Sequence, residues 1–365
     1  MKDNKTCSFV LRFILFLFYV CLASNGQSKE LFKVIDNTSG LIDNSVNCIE
    51  QDNRGFIWIG TANGVCRYDG LLFSSFSHDD KDPFSIISNS IHKILCLNGG
   101  LLLSTDRGVD AYSFSDGHFH RCYVSTHNRN AQMRFRAPNI IRNGNYVFLS
   151  DGKGCIYKNA VSKFNSPYTR VHNHTFLYTI NNYKNGLMLG LGPKGLYILS
   201  ADGTKILGSI TLMIKNTRNI KAYYSKNTNL VYIINGIGQP GLAYKIEGTH
   251  ITKSAAPVPS NLMSVLDYKD KTLFGIDGCG IISFKDGQTE NITPNNSNLN
   301  GDAIYTLFKD RSDNLWVGTY RAGVCLYSNK YTRFSMLNKL DNSLSYNIVT
   351  AVLPYRNEIY VGLDG

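Results

Sequence analysis

Six residues at predicted turns carry the side chains best suited to gripping a ligand: Asn63, Arg107, Lys153, Lys194, Gln239 and Arg321. Each precedes a glycine by one or two positions, and four of the six are basic. Ammonium and guanidinium groups recurring at one structural position make a positive rim suited to an acidic or sulfated glycan. Lys and Arg are also ordinary at exposed turns, where they serve solubility, and the sequence leaves both readings open.

Catalysis has weaker support. Glycosidases need two carboxylates flanking a bond, and lyases need a positioned base. Here the acidic residues fall mostly in turns, including Asp52, Asp69, Asp106, Asp151, Asp202, Asp277, Asp310 and Asp313, where Asp favours tight bends. No GxSxG, HExxH or phosphate-cradling glycine loop stands out, so the chain is not expected to be an enzyme.

Metal chemistry is similarly thin. His118 with His120, and His172 with His174, have the i, i+2 spacing that places two imidazoles on one face of a strand, but neither pair has a convincing third ligand. His78, Asp79, Asp80 and Asp82 cluster without a recognisable calcium-binding repeat and read as a solvated loop. No metal or cofactor is expected.

Turns at equivalent positions imply repeated elements to hold them. The segment NRGFIWIGTANGVCRYDG from Asn53 returns 258 residues later as SDNLWVGTYRAGVCLYSN, with weaker copies between. Glycine–aromatic pairs mark seven units: Gly64/Tyr68, Gly108/Tyr112, Gly154/Tyr157, Gly195/Tyr197, Gly241/Tyr244, Gly280/Phe284 and Gly323/Tyr327. Their aromatics are 40 to 47 residues apart. Within the first unit, SVNCIEQ (45–51), FIWIGT (56–61), VCRY (65–68) and LFSSF (72–76) read as four strands separated by turns. Four antiparallel strands per period of this length specify an all-β fold, a seven-bladed β-propeller of four-stranded antiparallel blades, and exclude helical solenoids.

The first 26 residues read as a secretory signal: Lys2, Lys5 and Arg12 lead into an apolar run from Phe13 to Ala23, too short for a permanent membrane span. Tyr19 and Val20 before Cys21 do not suit a lipoprotein signal, so cleavage near Gly26 is expected. Loss of three cations and Asp3 would lower the net charge from +11 to +9, compatible with an acidic ligand or an anionic membrane face. Nucleic acid is not an expected partner outside the cytoplasm. Seven cysteines would remain, Cys48, Cys66, Cys96, Cys122, Cys155, Cys279 and Cys325. Cys66 and Cys325 fall two residues after the glycine of their repeats and Cys155 one after its own; such positions in separate blades lie far apart around a ring, so these are read as small buried hydrophobes and not as disulfide partners or metal ligands.

The pattern of Asp52 to Gly55 followed by Trp58, Gly60, Thr61, Gly64 and Tyr68, matched by Asp310, Trp316, Gly318, Thr319, Gly323 and Tyr327, resembles the two-component regulator propeller repeat. The resemblance covers nearly all of residues 30–365, is specific in units one and seven, and is degenerate in units three to five. It implies the periplasmic sensor region of a hybrid two-component histidine kinase, an oligosaccharide or other small extracytoplasmic ligand, and compatibility with a homodimer in the full-length receptor. Trp58 and Trp316 are expected to fill the wedge between blades, and Gly64, Gly108, Gly154, Gly195, Gly280 and Gly323 to take positive φ after tight turns.

Residues 27–337 are therefore expected to form the propeller, with 338–365 forming the first strands of a truncated second propeller. NIVTAVLPYRNEIYVGLDG (347–365) starts an eighth unit and stops after its second strand, without membrane, kinase or receiver segments. A secreted interaction scaffold or a gene fragment is the alternative reading. LFKVI (31–35) is expected to close blade seven as a clasp, the other option being pairing with a second propeller.

Overall fold

A computed structural model describes residues 32–125, 130–171, 175–212, 220–235, 238–256, 258–328, 344–346, 348–355 and 358–364. The signal-like segment, His172 with His174, and residues 329–343 lie outside the described residues.

Seven four-stranded antiparallel sheets follow one another as predicted. Blade I consists of Val46–Gln51, Ile57–Thr61, Gly64–Tyr68 and Phe73–Phe76. Blades II to VI span 91–121, 140–171, 179–211, 220–253 and 262–292. Blade VII takes Ile304–Lys309, Leu315–Thr319 and Val324–Tyr327 from its own repeat, and its fourth strand is Lys33–Ile35. The first strand of each blade neighbours that of the next, and blade VII returns to blade I, so the sheets form a closed ring with the first strands innermost.

Closure on blade VII is made by Lys33, Val34 and Ile35 pairing with Leu326, Cys325 and Val324. Both amide groups of Asn298 also grip the backbone of Phe32, at 2.6 and 2.7 Å. Arg311 of blade VII bonds Gln51 and the carbonyls of Asp52 and Asn53 in blade I. An edge left open at this seam would expose unpaired backbone groups, and the clasp removes it.

The apolar core is divided into layers between adjacent blades, each drawing residues from two neighbouring sheets. Each sheet thus has two apolar faces, which is why Ile57–Thr61 and Leu315–Thr319 are buried at every position instead of alternating. Trp58 lies 5.4 Å from Tyr112 of blade II, and Trp316 lies 6.1 Å from Tyr68 of blade I, as large side chains filling the space between splayed sheets. Near the axis the sheets close together, and a Cβ on Gly60 would sit 2.6 Å from Ile91 of blade II.

Three details depart from expectation. Gly64, Gly154, Gly195, Gly280 and Gly323 have positive φ, but Gly108 does not; its lack of a side chain accommodates the carbonyl of Met133. Cys155 is only half-buried, while Cys66 and Cys325 are buried, and all seven described cysteines are free thiols. A small hairpin, Tyr123–Ser125 with Asn130–Gln132, is inserted between blades II and III.

Residues from Ser328 form a separate compact unit. Its described part is a hairpin of Val349–Tyr355 and Glu358–Leu363. The register shift at Val349/Ala351 repeats the shift at the start of the innermost strand in blades I, II, VI and VII.

Candidate ligand site at the mouth of the ring

The repeat motif builds the turns that carry the candidate residues. Thr61 Oγ1 donates to the carbonyl of Gly64 at 2.8 Å and accepts from the N–H of Asn63 at 3.1 Å. Thr319 and Thr105 do the same for the turns of blades VII and II. A buried hydroxyl thus fixes the turn between second and third strands, and the residue before the glycine faces water.

Asn63, Arg107, Lys153, Lys194, Gln239 and Arg321 are all exposed on these turns. Asn63 accepts from Asn89 at 3.3 Å, and Arg321 lies over the Tyr320 ring, which stacks on Tyr305 with ring centres 5.1 Å apart. One cavity on this side of the ring is lined by Lys153 and by none of the other five.

That cavity, of about 370 Å³, lies beside the starts of the innermost strands of blades III to V. Its walls are the loop entering blade III (Arg134, Phe135, Arg136, Pro138), the turns at Asp106 and Asp151–Lys153, Tyr178, and Ile220 and Lys221 at the start of blade V's innermost strand. The volume is in the range of small-molecule sites, and aromatic rings stand beside charged groups. Arg134, Arg136 and Lys221 escape a reading anchored on the repeated turns, because they lie in an interblade loop and on a strand. The basic-aromatic-basic run Arg134–Phe135–Arg136 just before Pro138 was the available signal.

Below the mouth, the axis is lined by charges of both signs. Glu50 and Lys93, on the innermost strands of blades I and II, approach to 3.9 Å. Burial raises the Glu50 carboxyl above its ordinary range despite Lys93. Burial opposes the charge on Lys93, but Glu50 and then Tyr223 of blade V outweigh it and hold its pKa high, so blades II and V face each other across the axis. A further cavity of about 460 Å³ opens at the other end, between Asn53, Asn98 and Arg311.

His92 sits near the mouth, and its pKa is pushed down to about 4 by burial, then by Arg136 and Lys221, with Asp106 opposing them. The unfolded chain binds a proton near pH 6.5 and the folded chain does not, so stability is full above that value and falls as pH drops from about 6.5 to about 4. His92→Asn should flatten that part of the urea-midpoint profile while leaving pH 8 unchanged. An unaltered acid slope would show that other groups set it.

The remaining candidates serve local structure. His118 stacks on Phe84 at 4.6 Å, and His120 Nε2 lies 2.9 Å from Asp116. Asp79 and Asp82 accept from the N–H groups of Lys81 and Phe84, and Asp80 pairs with His78 at 3.0 Å. Among the described residues no group of three potential ligands could hold a metal, and no helix is long and apolar enough to cross a membrane.

Asp52 and Asp310 do more than bend the chain. Asp52 accepts from the N–H groups of Arg54 and Phe56 and from the Trp58 indole, at 2.9, 3.1 and 2.9 Å. Asp310 accepts from Ser312, Asn314 and Trp316 in the same manner.

The two segments with this construction, residues 40–63 and 298–321, match the two component regulator propeller family. Two segments of the chain thus carry two-component regulator propeller repeats. Over 77 residues, 21% of its length, the chain is 35% identical to Histidine kinase P4 of Formosa agariphila, a stretch covering 6% of that protein. Its fold is similar to the extracellular domain of the hybrid two component system BT3049 from B. thetaiotaomicron, with a TM-score of 0.66 at 20% identity over 92% of this chain and 47% of that one. The extracellular domain of BT4673 from the same organism gives a TM-score of 0.60 at 20% identity over 85% and 41% of the two chains. The chain thus spans less than half the length of these extracellular domains.

Proposed function

We propose that this regulator propeller is the extracytoplasmic, non-catalytic ligand-sensing module of a hybrid two-component receptor, and that its stimulus is an oligosaccharide. One observation carries the reading: a closed ring bearing regulator repeats presents a cavity of about 370 Å³, with aromatic and charged walls, on the face where turns and interblade loops meet. Loops supply the contacts and the rigid blades hold them in place, an arrangement suited to recognition without chemistry. The hairpin at 349–363, with its blade-like register shift, is read as the first half of a further blade.

A thermal-shift screen of oligosaccharides from plant, algal and animal polysaccharides, with amino acids and short peptides as controls, tests this. A ligand at a hundred times its Kd stabilises the folded state by about 2.7 kcal/mol, a rise of roughly 3–6 °C for a domain of this size. A stabilising oligosaccharide that is recovered unchanged is the expected result. Turnover of the sugar would replace sensing by catalysis, and stabilisation by peptides alone would favour a protein-binding scaffold.

A further inference from the structure

We propose that the cavity between blades II and V is an anion-recognising subsite, built for a sugar residue that carries a carboxylate or a sulfate. The proposal rests on the carbohydrate reading above and specifies the class of sugar.

Four cations, Arg134, Arg136, Lys153 and Lys221, line the cavity against two carboxylates, Asp106 and Asp151. Both carboxylates are already engaged by the protein. The Ser88 hydroxyl donates to Asp106, and the backbone N–H groups of Lys153 and Cys155 donate to Asp151 at 2.8 and 2.9 Å. Among the described residues, Arg134, Lys153 and Lys221 take part in no ion pair. Arg134 donates to the neutral side chain of Gln132, at 3.4 Å.

The cations also come from different elements: an interblade loop, a turn of blade III and the innermost strand of blade V. Solubility explains scattered exposed lysines, but it gives no reason for Arg134, Lys153 and Lys221, on separate elements, to converge on one concave space without an ion-pair partner among the described residues. Gathering them carries a repulsive cost that an anion would relieve. The neutrality of His92, maintained by burial and then by Arg136 and Lys221, is consistent with this excess of positive charge. Arginine presents a planar fork of donors that matches a carboxylate or sulfate, and lysine adds a point charge. Phe135 and Tyr178 provide apolar surface for the C–H face of a sugar ring.

The test is calorimetric titration of the full chain with tetragalacturonate, a sulfated carrageenan tetrasaccharide, neutral maltotetraose, sodium sulfate and tetraglutamate. One acidic oligosaccharide should bind at least about tenfold more tightly than the neutral one, and its affinity should fall as salt rises. Which one binds separates uronate from sulfate ester. The double variant Lys221→Gln with Arg134→Gln should weaken that binding by about tenfold or more, whereas Lys205→Gln with Lys253→Gln, exposed and outside the cavity, should change it less than about twofold. Circular dichroism melts verify that both variants fold.

Neutral and acidic sugars binding equally, or a cavity variant that binds like the parent, would overturn the anion subsite and leave carbohydrate sensing intact. Binding of sulfate or tetraglutamate, lost in the cavity variant, with no oligosaccharide bound, would do the reverse. Absence of any binding up to about 10 mM would overturn the subsite as well.

Discussion

Trp58→Ala should lower the free energy of unfolding by about 3–5 kcal/mol. The indole is fully buried, 5.7 Å from Phe76 in its own blade and 5.4 Å from Tyr112 in the next, so truncation opens a void in the wedge between blades I and II. Sheets radiating from an axis cannot collapse onto such a void without tilting against their other neighbours, which places the effect toward the upper end of that range. Trp58→Phe restores most of the apolar surface and removes the indole donor, for a loss of about 1–2 kcal/mol. Urea unfolding measures both. The protein has two tryptophans, Trp58 and Trp316, so each single Trp→Phe variant leaves one fluorescent reporter, on blade VII or on blade I. A loss below about 1 kcal/mol for Trp58→Ala would show that this wedge relaxes freely, contrary to a rigid ring.

Asp52→Ala should be nearly as damaging, although it removes a charged group from a turn. The carboxylate is fully buried and receives two backbone N–H groups, the Trp58 indole N–H and a guanidinium N–H of Arg54. Alanine leaves these donors without an acceptor in a space that water enters poorly, at about 1–3 kcal/mol for each buried donor, and a total loss of about 3–4 kcal/mol is expected. Asp52→Asn keeps one acceptor oxygen but turns an amide N–H₂ toward the indole or the backbone, and about 1–2 kcal/mol should be lost. A double-variant cycle of Asp52→Asn with Trp58→Phe should show coupling of about 1 kcal/mol, because the two share one hydrogen bond. Strict additivity would mean that turn and indole act independently. Asp310 and Trp316 should repeat the pattern in blade VII, where the indole N–H lies 2.8 Å from the carboxylate.

The blades were legible because each is a local unit. The 43-residue spacing, the Gly-Thr pair and the following glycine mark the second strand, the turn and the third strand within about ten residues of one another. Pairing of neighbouring strands through short turns leaves little freedom for any other arrangement. The buried role of Asp52 was partly legible: its six-residue separation from Trp58 recurs at Asp310 and Trp316, but spacing alone does not distinguish a bending aspartate from one that receives an indole proton. Gly60 and Gly318 carry no mark of their function either. Their side chains are excluded by Ile91 and Val46 of the adjoining blades, and that approach exists only after the ring closes.

The amino-acid order alone establishes a chain of repeated four-stranded sheets, since strand pairing and tight turns are short-range and recur with the period. It also places polar and basic residues on equivalent turns. Which of those residues meet is a matter of curvature around the axis and of irregular loops, neither of which repeats. Lys153 therefore joins Arg134, Arg136 and Lys221, distant in sequence and outside the repeat pattern, while Asn63, Arg107, Lys194, Gln239 and Arg321 are exposed outside that cavity's lining.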